Sequence, residues 1–275
     1  MLSLISPAKA LDFDAPVPKT THTMPRLLPD SIALAAVMKT KSVADLARLS
    51  GISDELAALN AERWSAFEVP FAGSTARVAL LAFIGDTYQG LAARRRFHTR
   101  DYTEAQKTLR ILSGLYGLLR PLDLMLAYRL EMGTRLATAR GGNLYQWWGR
   151  RITELVAEDL AVAPGSAVLV NLASTEYFSA IQTELLDARV ISPRFEDTDP
   201  RGRRSVVSFY AKRARGEMAA WLVLNRVHSA RAITEFDQAG YRYDRAASTP
   251  DQPVFVRSFA DRAAPSTSPS VSAER

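Results

Sequence analysis

Ser6-Pro7-Ala8-Lys9 sets a hydroxyl and an ammonium three residues apart, at the end of the apolar run Met1–Ile5. With Ser6 capping a turn and Pro7 in its first position, the two groups can share one face. This is the Ser-x-x-Lys arrangement of serine acyl enzymes, in which a neutral lysine helps to activate the serine. The alternative is a capped turn whose lysine makes a point-charge contact with an anion. No Lys-Thr-Gly or Ser-Asp-Asn segment accompanies the pair, which favours the alternative. A second group, Arg120, Asp123, Arg129 and Glu131, interrupts the apolar stretch Leu118 to Met132. Buried charge is costly unless compensated, so these four are expected to pair with one another or to line a cleft. A third group, Lys212, Arg213 and Arg215, opens a predicted helix after a strand. Cations there oppose the helix dipole, an arrangement suited to an external anion.

Two basic clusters extend the anion theme. Arg94 to Arg110 carries six cations against two anions, and Arg194 to Arg215 seven against three, each a local balance of +4. On one surface they would form a stripe that tracks phosphates; otherwise they are solvated loops. Ser42 to Ser50, Gly51 and Ser53 to Ala57 read as helix, glycine turn and capped helix, a helix-turn-helix pattern. Asp54, Glu55 and Glu62 put anions on its second helix, which opposes entry into a DNA groove. Leu56 to Arg63 reads as the hairpin of a helix-hairpin-helix, whose backbone N–H groups would meet one phosphate through Ala58, Asn60 and Arg63. Ala58 stands where such hairpins usually carry glycine.

Composition removes other chemistries. The 275 residues contain no cysteine, which excludes disulfides, thiolate metal sites and cysteine nucleophiles. His22, His98 and His228 lack the spacing that puts two imidazoles on one helix face, so no metal is expected, and no nucleotide-loop or dinucleotide fingerprint points to a cofactor. The net charge of +6 is a mild excess whose meaning depends on where the cations cluster. No apolar run is long enough to cross a membrane, and Pro7 interrupts the only leader-like start, so a cytoplasmic location is expected.

The elements that must position these groups alternate along the chain. Strands are expected at Met1–Ile5, Arg77–Ile84, Ser166–Leu172, Arg189–Phe195, Arg204–Tyr210, Tyr241–Asp244 and Val254–Phe259. Of these, 167–172 is apolar on both faces and reads as central. Helices are expected at Ser31–Met38, Ser42–Ser50, Asp54–Phe67, Tyr102–Leu112, Leu144–Ala161 and Ala211–Val227. No linker breaks the alternation, which predicts one interleaved α/β or α+β domain over residues 1–260 with a mixed sheet core surrounded by helices. Residues 261–275 read as a disordered tail.

Six blocks resemble one family. They are Ile5–Lys9, Gly85–Leu91, Leu112–Asp123, Tyr128–Gly133, Asn171–Phe178 and Phe209–Gly216, in order along the chain. Together they closely resemble the peroxide stress protein YaaA family. The resemblance implies a cytoplasmic protein of the hydrogen peroxide response, linked to DNA protection or repair and to low free iron. It also implies the single-domain cantaloupe fold, a positive cleft and a helix-hairpin-helix, with duplex and structured DNA bound without strong sequence preference. Carried onto this chain, the hairpin falls on Leu56 to Arg63, and Lys9, Arg120, Arg129, Lys212, Arg213 and Arg215 become the candidate DNA contacts. A second expectation is an enzyme whose pocket gathers Ser6, Lys9, Asp86, Arg129, Glu131 and Tyr177 from distant blocks, with Tyr88 and Asn171 nearby.

Overall fold

Leu2–Ile5 is buried along its whole length, because strands flank it on both sides in a five-stranded sheet. The sheet runs Gly117–Leu119, Leu109–Ser113, Leu2–Ile5, Val168–Leu172, Arg189–Ile191. The last four strands are parallel, and Gly117–Leu119 closes one edge antiparallel to its neighbour. Ser3 lies opposite both Leu109 and Val170. The structure, a computed structural model, describes residues 1–15, 21–71 and 75–263; the tail expected at 261–275 therefore lies mostly outside the described residues.

From Leu2–Ile5 the chain passes to Leu109–Ser113 on one side and then returns to Val168–Leu172 on the other. That reversal makes the carboxyl ends of Leu2–Ile5 and Val168–Leu172 the switch point of the sheet, where open parallel sheets place their ligands. A second sheet, ordered Arg204–Ser205, Arg194–Thr198, Val254–Arg257, Arg242–Tyr243, packs Phe195 and Phe255 against Phe236 and Tyr241. Among the described residues the result is a mixed α+β domain, as expected.

The Ser208–Leu224 helix holds the two sheets together. It crosses the Asp86–Leu91 helix at glycines: a Cβ on Gly216 would collide with the Thr87 carbonyl, and one on Gly90 with the Arg213 carbonyl. The contact thus requires residues without a side chain, and it fixes the start of the long helix beside the block Gly85–Leu91.

The helix pair Val43–Ser50 and Asp54–Ser65 forms as expected. Ser42 and Asp45 build a capping box, Gly51 turns the chain at φ 58°, and Ser53 caps the second helix.

Six local expectations are corrected. Arg189–Phe195 is divided between the two sheets, as Arg189–Ile191 and Arg194–Thr198, and the Leu144–Ala161 helix breaks at Gly149 into Leu144–Trp148 and Arg151–Val162. Arg77–Ile84 is not one strand: only Arg77–Val78 and Phe83–Ile84 pair, and Ala79–Ala82 makes a buried helical turn whose first N–H groups reach the carbonyls of Asp123 and Pro121. The Tyr102–Leu112 helix stops at Thr108, because Leu109–Ser113 is recruited as a buried strand beside Leu2–Ile5. Arg204–Tyr210 pairs only at Arg204–Ser205, and a helix already begins at Ser208. Leu56 to Arg63 is not a hairpin but the interior of Asp54–Ser65. Its backbone N–H groups are spent inside the helix, so none can meet a phosphate there.

Candidate functional site

At the switch point the ends of the two central strands are pinned by side chains. Ser6 Oγ accepts a hydrogen bond from Ser174 N at 2.8 Å and donates to Ser174 Oγ at 3.2 Å. Tyr88, buried on the Asp86–Leu91 helix, donates to the Ser6 carbonyl at 3.1 Å. Ser6 is therefore a positioning group, and Lys9 turns elsewhere: its Nζ lies 3.6 Å from Glu131 Oε1. The Ser-x-x-Lys pair does not form an acyl-enzyme dyad: Lys9 makes an anion contact, and Ser6, rather than capping its own turn, bonds Ser174.

Glu131 is the hub of this edge. Its carboxylate, 15% exposed, also lies 3.2 Å from Arg129 NH2. Arg63 approaches from the Asp54–Ser65 helix, and burial together with the charge of Arg129 pulls its pKa below the ordinary guanidinium value. Two cations thus pair with one carboxylate, and Arg63 lies close enough to Arg129 to feel its charge, which leaves a positive surplus. Beneath it, Tyr88, Tyr128 and Tyr177 sit close enough to perturb one another, and burial raises the pKa of all three. Tyr128 bonds Ser113 Oγ at 2.7 Å, and both Tyr128 and Tyr177 feel the charge of Glu131. Arg129 Nε and Glu131 Oε1 are buried without a hydrogen bond, so the cluster retains unused polar capacity.

Around the edge from this cluster, the start of the Ser208–Leu224 helix covers a cleft of about 600 Å³ lined by Asn171, Ser192, Ala211 and Arg215. Lys212 and Arg213 stand exposed on the same helix. None of these three cations makes a hydrogen bond or ion pair among the described residues.

The expected DNA contacts therefore divide. Lys9 and Arg129 meet at Glu131 with Arg63 near Arg129, while Lys212, Arg213 and Arg215 share one helix. Arg120 is withdrawn from the set: its guanidinium grips Asp123 at 2.9 and 3.1 Å and the Met24 carbonyl at 3.0 Å, which occupies its donors within the fold. Ala58 and Asn60 are also withdrawn, since Asn60 is buried and donates to the Leu56 carbonyl at 2.7 Å. Within the pocket expected for an enzyme, Ser6, Lys9, Arg129, Glu131 and Tyr177 converge, but no hydrogen bond or ion pair ties Asp86 to them.

Much of the two basic clusters is neutralised locally. Arg94 pairs with Asp12, Arg96 with Glu217, Arg110 with Asp159, Arg194 with Glu196, Arg203 with Asp199, and Arg204 with both Glu196 and Asp244. Of the two alternatives for these clusters, this pairing speaks against a continuous phosphate-tracking stripe. Sequence reasoning missed Ser174, Ser192 and Gln252; Ser174 stood inside a quoted block, whereas Ser192 and Gln252 carried no motif at all.

Fold and site together define an α+β protein that collects cations and buried tyrosines around the carboxyl edge of a short parallel sheet. The chain belongs to the family described as peroxide stress protein YaaA, which matches residues 1–247. A UPF0246 protein of Alcanivorax borkumensis is 49% identical over 257 residues, spanning 94% of this chain and 98% of the relative. UPF0246 proteins of Paracidovorax citrulli and Delftia acidovorans are 50% and 49% identical, spanning 94% and 95% of this chain and 98% and 100% of their own lengths.

Proposed function

We propose that this peroxide stress protein binds DNA in the cytoplasm, gripping the phosphates of duplex and structured DNA without reading base sequence. The observation that supports the reading is the patch made by Lys212 and Arg213, exposed and without carboxylate partners among the described residues, near the start of the helix Ser208–Leu224. Free cations are what counterion release requires, whereas paired ones such as Arg204 contribute little. DNA protection or repair and a lower level of free iron under peroxide belong to the same proposal, as consequences in the cell.

Fluorescence anisotropy with two duplexes of unrelated sequence tests it. Binding should fall steeply with added salt and be equal for both sequences. Lys212→Ala combined with Arg213→Ala should weaken both equally, by roughly tenfold at physiological salt. Unchanged binding in the folded double variant removes this patch from the mechanism, and no binding by the wild-type protein removes the proposal.

A second reading, an enzyme, is supported by the convergence of Ser6, Lys9, Arg129, Glu131 and Tyr177 at the switch point. Metabolite profiles of cell extract incubated with the wild-type protein or Glu131→Gln test it: a compound consumed by the wild type alone supports an enzyme, and identical profiles remove it.

A further inference from the structure

The cleft beside Arg215 has the size of a small-molecule pocket, about 600 Å³. It lies at the carboxyl ends of two adjacent parallel strands, Val168–Leu172 and Arg189–Ile191. Asn171 Nδ2 donates to Ser192 Oγ at 3.2 Å and so ties together the two loops that leave those strands. Asn171 Oδ1 accepts Ala173 N at 3.0 Å, which fixes the amide and leaves its second N–H for a ligand. Thr175 and Gln252 add neutral hydrogen-bonding groups, and among the described residues no Asp or Glu lines the walls.

Two cations do line it. Arg194 is held by Glu196 at 2.6 Å, whereas Arg215 has no counter-ion and no hydrogen bond among the described residues. Burial pulls its pKa down, yet a guanidinium stays charged, so a desolvated positive charge faces a cleft without anions. Arginines withdrawn from water are normally paired. Here the partner that the fold omits is one that a ligand can supply.

We propose that this cleft binds a small hydroxylated phosphate ester, of the size of a sugar phosphate, with its phosphate on Arg215 and its hydroxyls on Asn171, Ser192 and Gln252. A guanidinium fork takes two phosphate oxygens at once, and the neutral amides and hydroxyls of the walls match a polyol. The inference rests on neither reading above, since it uses neither the Glu131 cluster nor the exposed pair Lys212 and Arg213.

Calorimetric titration of the whole protein with ribose 5-phosphate tests it, with ribose and inorganic phosphate as separate probes. Ribose 5-phosphate should bind with one-site saturation, and each half-probe roughly tenfold or more weakly. Arg215→Met should cost roughly tenfold or more in affinity, Gln252→Ala, on an exposed loop, a few-fold, and Arg213→Met nothing. Absence of saturable binding, an unchanged affinity in both Arg215→Met and Gln252→Ala, or an equal loss in Arg213→Met would each overturn the assignment. Anisotropy with duplex DNA on the same samples separates the two claims: DNA bound by a protein that ignores ribose 5-phosphate discards this cleft alone.

Discussion

Two arginine centres, one buried and one half-buried, use the same chemistry to opposite ends. Arg110, on the strand Leu109–Ser113, is 4% exposed and held by its neighbours: Nε bonds Asp159 Oδ2 at 2.6 Å, and NH1 reaches the carbonyls of Gln106 and Leu109 at 2.9 and 2.7 Å. Arg26 grips the same carboxylate at 3.0 and 2.6 Å. At the carboxyl edge of the sheet, Arg129 shares Glu131 with Lys9, Arg63 feels the charge of Arg129, and Arg215 has no ion pair or hydrogen bond among the described residues. A charge that only has to support a fold is closed off by its neighbours. One left open keeps its donors for something outside the chain.

The contrast makes its largest prediction at Asp159. Asp159→Ala would strand Arg110 in the interior and should cost about 3–5 kcal/mol, read as a lower urea midpoint with an unchanged slope. The pH dependence follows the same link. Burial alone would raise the Asp159 pKa, but the hydrogen bonds and charges of Arg110 and Arg26 outweigh it and hold the group below its ordinary value of 3.8. A depressed folded-state pKa contributes stability that is present above the unfolded value and is lost as pH falls through the folded one. Denaturation from neutral pH down to about pH 2 should therefore show an acid loss that Asp159→Asn lacks. An identical acid slope in wild type and variant would mean that the centre is not closed.

How much of this was legible in the sequence depends on how local the physics is. The pairs Arg120–Asp123 and Arg129–Glu131 were foreseeable, since charges within an apolar stretch must find partners and these lie two or three residues apart. The helix pair around Gly51 was equally readable from its caps. The hairpin expected at Leu56 to Arg63 failed because small residues alone do not bend a chain; Ala57, Asn60 and Trp64 form the buried face of one helix. The end of the helix at Thr108 was invisible, because Leu109, Ile111 and Leu112 suit a buried strand as well as a buried helix. The Arg215 cleft was also hidden: Asn171, Ser192, Arg215 and Gln252 come from four segments whose meeting depends on sheet order and on the Gly90–Gly216 crossing.

A smaller effect is expected at Glu131, and it sharpens the comparison from the other side. Glu131→Gln removes the carboxylate that pairs with Lys9 and Arg129, but Lys9 is largely in water and only part of the charge is desolvated. The cost should be about 1–2 kcal/mol, less than at Asp159. The uncovered repulsion of Arg129 with Lys9 and with Arg63 should also make the variant recover stability as salt is added, which Asp159→Ala should not do to the same degree. Loss of stability as large as at Asp159, and indifferent to salt, would place Glu131 among the structural carboxylates.

The smallest effect should come from Arg215. A cation that makes no ion pair or hydrogen bond among the described residues contributes only the packing of its stem, and its burial is a desolvation cost. Arg215→Met keeps the stem and removes that cost, so the midpoint of urea denaturation should stay within about 0.5 kcal/mol of wild type or rise. A residue that can be replaced without loss to the fold, while Arg110 cannot lose its carboxylate, is one whose charge serves a purpose outside folding. A loss above about 2 kcal/mol would instead mean that Arg215 has a structural partner in solution, and the distinction between closed and open centres would no longer hold.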